Sequence, residues 1–399
     1  MQEKMKISGI ICELNPLHGG HAALFSHGKA ISQGLVCVLS GNFVQRGEPA
    51  ILDKWARTRL ALEQGADLVL ELPLPWACAG AERFALGGVA LLQGLGGVDT
   101  LLFGSEEPDA SLLWSLANAL RSPEFSRELA QVKSGAAFAQ RREQAAARLV
   151  GPDTAALLRK PNVILGVEYL KALLELHSSM EAVLFPRLGA GHDVPDETGP
   201  LLSASHARDL LKQGQDLTGR LPEPTLKLWR ELAQNGLCPA SLSRLETGVL
   251  CRLRAMEPEE FALLPDVSEG LEHRLYKAAR QAGSLEEFYT LAKSKRYSHA
   301  RIRRLAMAAF LGLTKDLPLL PPYLRVLGMT PLGERILRQA SPTLPLVVRP
   351  GDIRRLEEEC RRMFALEAKA DDLYALAQPC PPPCGRDYTE KLIKGCRDA

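Results

Sequence analysis

Between residues 6 and 215, short apolar runs alternate with longer stretches in which apolar positions recur every three or four residues. The runs predict strands at Ile7 to Cys12, Leu35 to Leu39, Ala66 to Leu72, Thr100 to Phe103 and Ala182 to Phe185, with crossover helices between them, the pattern of a parallel sheet. From Pro222 the texture changes to long helical patterns at Pro224 to Ala233, Leu242 to Met256 and Leu271 to Lys293, and the last strong one covers Asp352 to Ala375. Pro318 to Pro322 reads as a break, and Pro342 to Pro350 encloses the strand-like Leu346-Val347-Val348. The change of texture places a boundary near Gly219 to Pro224. It divides an α/β domain over residues 1–219 from a mainly α-helical domain over residues 220–399.

An open doubly wound sheet binds ligands outside the carboxyl ends of its strands, so the loops after the five strands should meet in one crevice. These loops are Glu13 to His21, Ser40 to Pro49, Pro73 to Trp76, Gly104-Ser105-Glu106 and Arg187 to Asp193. The first carries the sharpest chemistry, because it closes a strand and opens a helix with His18-Gly19-Gly20-His21, an H-x-G-H pattern. Two imidazoles three residues apart, together with backbone N–H groups of a helix N-terminus, can meet on one set of phosphate oxygens where charge builds during attack at phosphorus. A glycine turn with two surface histidines is the plain alternative. The position of the motif, after a strand and before Ala22-Ala23-Leu24-Phe25, favours the chemical reading.

Other clusters fit the same crevice. Gly41 to Pro49 is a glycine-bounded loop with Gln45 and Arg46, and Lys54 opens the helix that follows, a set suited to holding a carboxylate or phosphate. An Arg46–Asp53 pair that merely holds the loop would fit the sequence equally well. Gly104 lets a base or ribose approach the backbone closely. Asn162, after Lys160-Pro161, either aims its amide outward or simply caps a helix. Ser203 or Ser205 can cap a helix that brings Arg208 round to the same side, giving hydroxyls and a cation for a triphosphate, or only an ordinary cap with a surface arginine.

Composition sets limits. The 399 residues are 46% hydrophobic and 24% charged, ordinary globular values that favour neither a disordered nor a membrane class. The start of the chain lacks the apolar stretch of a signal peptide, and nine scattered cysteines suit a reducing cytoplasm better than a disulfide framework. Cys360, Cys380, Cys384 and Cys396 are spaced too irregularly for structural zinc, so no metal site of the protein is expected. The net charge of +2 is unremarkable, but its distribution is not. Lys293, Lys295, Arg296, Arg301, Arg303 and Arg304 crowd one segment, and no carboxylate occurs between Glu287 and Asp316. A solvated face usually mixes signs, so the segment reads as a contact for a nucleic-acid backbone.

As a set, the motifs resemble the bacterial tRNA(Met) cytidine acetate ligase family. The resemblance rests on Glu13-x-Asn15-Pro16-x-His18-x-Gly20-His21, Gly41-Asn42-Phe43-Val44-Gln45-Arg46-Gly47-Glu48-Pro49, Gly65 to Pro73, Phe103 to Glu106, Lys160-Pro161-Asn162, the serine-rich motif ending at Arg208, and Lys295 to Arg304. It implies a Rossmann-like nucleotidylyltransferase domain that makes acetyl-adenylate from ATP and acetate and passes the acetyl group to N4 of the wobble cytidine of elongator tRNA(Met). ATP would lie along Ile11-Cys12-Glu13-Leu14-Asn15-Pro16-Leu17-His18-Gly19-Gly20-His21-Ala22-Ala23-Leu24 and touch Gly104, Asn162 and Arg187; Mg2+ with the nucleotide is expected from triphosphate chemistry alone. His18 and His21 would stabilise the α-phosphate as pyrophosphate leaves. The sequence departs from the family at Leu17 and Gly19, where phenylalanine and asparagine are usual, and around His206, where a small hydroxyl residue is common. Two other functions compete: nucleotidyl transfer to a phosphorylated metabolite, and non-catalytic RNA binding. Oligomeric state is not legible in the sequence.

Overall fold

The computed structural model describes residues 5–132, 138–186, 202–268 and 270–395. Strands β1 (Ile7–Cys12), β2 (Gly34–Ser40), β3 (Leu68–Leu72), β4 (Thr100–Ser105) and β5 (Glu181–Pro186) fall on the five apolar runs. They are parallel and ordered β3-β2-β1-β4-β5. Every position of β1, β2 and β3 is buried. Ile7 and Ile11 enter one apolar layer while Ile10 and Cys12 enter the other, so a strand covered on both faces has no polar side to show in its sequence.

The strand order reverses at β1. On one side β1 pairs with β2 from Ile7 to Cys12; on the other it meets β4 only through Ser8↔Thr100 and Gly9↔Leu101. β1 and β4 therefore part toward their carboxyl ends and leave a crevice at the switch point, where sheets of this kind hold ligands.

The second half of the chain returns to this sheet. β6 (Leu324–Met329) adds antiparallel to β3, and β7 (Leu346–Val347) and β8 (Ile393–Lys394) pair parallel with β6. Of these, the sequence pattern indicates only β7. β6 follows a proline-rich break and carries Arg325, a charge that is tolerable in a buried strand because Glu71 and Asp387 lie 3.4 and 2.8 Å away.

The helical patterns also divide more finely than expected. Leu271 to Lys293 is two helices, Leu271–Gln281 and Leu285–Ala292, because Ser284 caps the second by accepting from the Glu287 N–H at 3.1 Å. The predicted helix from Asp352 begins as a 3-10 turn, Pro350–Arg355, and the α-helix runs Glu358–Ala375. Helices between residues 242 and 311 enclose their own core around Val249, Phe288 and Ile302. Phe43 and Leu74, from the loops after β2 and β3, belong to that core, so the helices dock on the same end of the sheet as the crevice. Among the described residues no helix is long and apolar enough to cross a membrane.

Candidate active site

His18 is the N-cap of the first helix, Gly19–Ile31. Its Nδ1 accepts from the Gly20 N–H at 3.1 Å, while Nδ1 of His21 accepts from the His18 N–H at 3.4 Å. A neutral imidazole that accepts at Nδ1 carries its proton on Nε2, so the backbone sets both rings as Nε2–H donors. The ring centroids are 3.9 Å apart. A Cβ at Gly20 would stand 2.9 Å from His18 Cε1, so a side chain here would displace the imidazole from its place. One expectation changes. The Gly20 N–H is taken up by His18 Nδ1 and the His21 N–H reaches the His18 carbonyl at 2.9 Å, so the imidazoles, rather than these amides, are the donors of the corner.

Cations stand beside the motif. Ser203 caps the helix Ala204–Lys212, as its position predicts, accepting from the His206 N–H at 3.3 Å. Ser205 Oγ lies between two guanidiniums, 3.0 Å from Arg46 Nη1 and 3.3 Å from Arg208 Nη2. Arg208 Nη1 also donates to the Asn15 carbonyl at 2.8 Å, which ties this helix to the H-x-G-H loop. Two like charges gathered on one hydroxyl next to the imidazoles are an arrangement that can receive an anion. Glu13 faces the same place, with Oε1 accepting from the Gln45 N–H at 2.8 Å; burial raises its carboxyl above the usual range against the pull of that bond and the nearby arginines.

Sequence reasoning passed over two organising residues. Arg57, wholly buried, donates to the carbonyls of Leu52, Glu13, Ser40 and Gly41 at 2.5 to 2.9 Å and so ties the loops after β1 and β2 together. Glu106, at the end of β4, accepts from the Val163 N–H at 3.0 Å and from the Asn162 side-chain amide. Asn162 is thus turned toward Glu106 rather than outward. A carboxylate directly after the strand, two residues past Gly104, was the visible signal.

Two predicted residues are placed differently. Lys54 is 1% exposed and lies between Glu71 at 2.8 Å and Asp387 at 2.7 Å, so it cannot reach a ligand in the crevice. Asp53 caps its own helix and pairs with Arg386 at 3.0 Å, which leaves Arg46 to Ser205. Arg187 and the loop to Asp193 lie outside the described residues. Gly104 stands at the end of β4, across the switch point from β1. In the basic segment, Lys293, Lys295 and Arg296 are exposed; Arg301 donates to the Asp266 carbonyl at 3.1 Å, Arg303 pairs with Glu48 at 2.9 Å, and the Arg304 guanidinium is largely buried.

A parallel sheet with a split at its switch point, and an H-x-G-H corner at that split, define a nucleotidyltransferase. The family described as HIGH Nucleotidyl Transferase matches residues 5–387. Over 98% of its length the chain is 36% identical to the whole of a tRNA(Met) cytidine acetate ligase from Acetivibrio thermocellus, and equally so to one from Caldanaerobacter subterraneus. Thermotoga maritima TmcAL superposes with a TM-score of 0.91 at 31% identity, covering 98% of this chain and 99% of that one. A second structure of that protein, bound with alpha-thio ATP, gives 0.90 at 30% identity and the same coverage. The chain belongs to the tRNA(Met) cytidine acetate ligases of the HIGH nucleotidyl transferase family.

Proposed function

We propose that this chain joins acetate to ATP as acetyl-adenylate, releasing pyrophosphate, and transfers the acetyl group to N4 of the wobble cytidine of elongator tRNA(Met), releasing AMP. The observation that carries the reading is the corner at the switch point, where two Nε2–H imidazoles and the Arg46–Ser205–Arg208 group share one crevice end. An acetate oxygen attacking the α-phosphorus builds charge on the phosphoryl oxygens, and His18 and His21 hydrogen-bond that charge without needing to be protonated. Arg46 and Arg208 hold the departing phosphates and lower the repulsion between the two anions, so that most of the catalysis is positioning and charge cancellation.

No group of three His, Cys, Asp or Glu side chains among the described residues could hold a metal ion. Mg2+ would accompany the triphosphate as its counter-ion and would supply charge neutralisation on the phosphates. The exposed Lys293, Lys295 and Arg296 lie on the helical part, which docks on the crevice end, and they supply the grip on the RNA backbone while the cytidine enters the site. No disulfide joins the eight described cysteines, in keeping with action in the cytoplasm.

Protein incubated with ATP, acetate and unmodified tRNA(Met) should give AMP, pyrophosphate and one acetylated cytidine. Without RNA, pyrophosphate should exchange into ATP only when acetate is present. Product from a phosphorylated metabolite, with no acetylated RNA, would replace this reading with nucleotidyl transfer to a small molecule.

A further inference from the structure

One carboxylate stands between the phosphate corner and the basic segment. Glu48 Oε2 is 2.9 Å from Arg303 Nη2, and Glu48 Oε1 is 3.5 Å from Arg208 Nη2. Its place is fixed by the short ribbon formed by Phe43–Val44 and Glu48–Pro49. At the turn of that ribbon Gly47, with φ +70°, lies so close to the helix His299–Leu311 that a Cβ would come within 2.9 Å of the Arg303 carbonyl carbon. On its other side the ribbon is held by Gln45 to Glu13 and by Arg46 to Ser205. Glu48 Oε1 and Arg303 Nε are buried and have no hydrogen-bond partner, so each depends on the ion pairs for compensation. Charges in such a poorly solvated gap interact far more strongly than on an open surface.

We propose that Glu48 is a positioning residue that sets the triphosphate and the RNA against each other. An anion arriving at Arg208 repels Glu48 toward Arg303, and a fully paired Arg303 offers little to an RNA phosphate. When pyrophosphate leaves, Arg208 needs a counter-charge again; Glu48 returns to the position shared between Arg208 and Arg303, and Arg303 regains part of its charge for the RNA. The device orders the reaction, adenylation before firm RNA engagement. It rests on the proposed function, in which Arg208 faces phosphates of ATP and the basic segment faces tRNA.

The test measures binding alone, on the full chain at fixed ionic strength, with α,β-methylene-ATP and unmodified elongator tRNA(Met) as probes. In the wild type, saturating nucleotide should raise the tRNA Kd by about fivefold or more, and tRNA should raise the nucleotide Kd by the same factor, as linkage requires. In Glu48→Gln both ligands should still bind and the mutual effect should fall below about twofold. Arg303→Gln should lose the coupling in the same way and decides the matter should Glu48→Gln fail to fold. Direct repulsion between two polyanions would persist in both variants, so undiminished coupling overturns the proposal, as does independent binding in the wild type. If the wild type binds no tRNA, the functional reading falls with it; if both ligands bind but Glu48 makes no difference, only this proposal does.

Discussion

Two clusters of charge flank the helix Lys54–Gln64, and they resolve in opposite ways. On one side Lys54 and Arg325 are enclosed by Glu71 and Asp387, with Glu367 and Asp371 close by. Acids exceed bases there, and burial pushes Asp371 up to about 7 and Glu367 well above the carboxylate range. On the other side Arg46 and Arg208 gather on Ser205 beside two histidines, and Glu48 is shared with a third arginine. The first cluster closes on itself and locks β6 and the C-terminal segment onto the sheet. The second sets three arginines against Glu48, which suits it to the anion of the proposed reaction. Lys54 and Arg208 look alike as candidate phosphate binders in sequence; the carboxylates that the fold delivers to each decide between structure and binding.

The sharpest way to break the contrast is Lys54→Met. It leaves Glu71 and Asp387 buried without their lysine, so denaturant unfolding should show a loss of about 3–5 kcal/mol, the usual cost of breaking a buried pair. Arg46→Ala, exposed at the other cluster, should change stability by no more than about 0.5 kcal/mol while raising the KM for ATP. A Lys54→Met protein as stable as wild type but weak for ATP would reverse the two assignments.

Next in size is His21→Ala. In the proposed reaction the ring donates toward developing charge, so acetylation should fall by about 10²- to 10³-fold with tRNA affinity within about twofold of wild type. His21 is the cleaner target, because its capping bond to the His18 N–H is the longer of the two at 3.4 Å, whereas loss of the His18 N-cap would cost about 1 kcal/mol of stability. Unchanged turnover in His21→Ala would remove the imidazole pair from the chemistry.

Those two residues also mark what could be read in advance. The five parallel strands were legible because strands buried on both faces have one apolar vocabulary, and the H-x-G-H motif was legible because its position between strand and helix is local. Ser284, with Glu287 three residues on, was a local signal too, a capping sequence inside an apolar helical period. β6 was not legible, since Arg325 argues against a buried strand until Glu71 and Asp387 are brought to it from 254 and 62 residues away. The burial of Lys54 was hidden for the same reason: its partners come from β3 and from the C-terminal turn. Long-range charge compensation leaves no pattern along the chain.

Asp371 sharpens the contrast through pH. Its carboxyl sits near 7 in the folded protein and near its ordinary value, about 4, when unfolded. Between those values the native state holds a proton that the unfolded state has lost, so this group makes stability fall as pH rises through the window and stay low above it. Asp371→Asn keeps an acceptor for the Asn42 amide and removes the titration. Relative to that variant, the wild type should lose about 2 kcal/mol of unfolding free energy between pH 5 and pH 8. Parallel pH profiles would show that the cluster holds no excess proton there.

The smallest expected effects belong to the exposed cations of the basic segment, and they test whether exposure separates RNA contacts from internal struts. Lys295 and Arg296 are exposed, so each phosphate contact they make should be seen as released counterions. Replacing either by alanine should lower the slope of log Kd against log salt by about 1 and weaken tRNA binding without regard to its sequence. Arg301, one turn into the next helix, donates to the Asp266 carbonyl and stacks on Tyr297 at 5.2 Å. Arg301→Ala should therefore lower the melting temperature and leave the salt slope near its wild-type value. A reduced slope for Arg301→Ala and an unchanged one for Lys295→Ala would remove the loop from the RNA contact and make Arg301 a phosphate ligand rather than a strut.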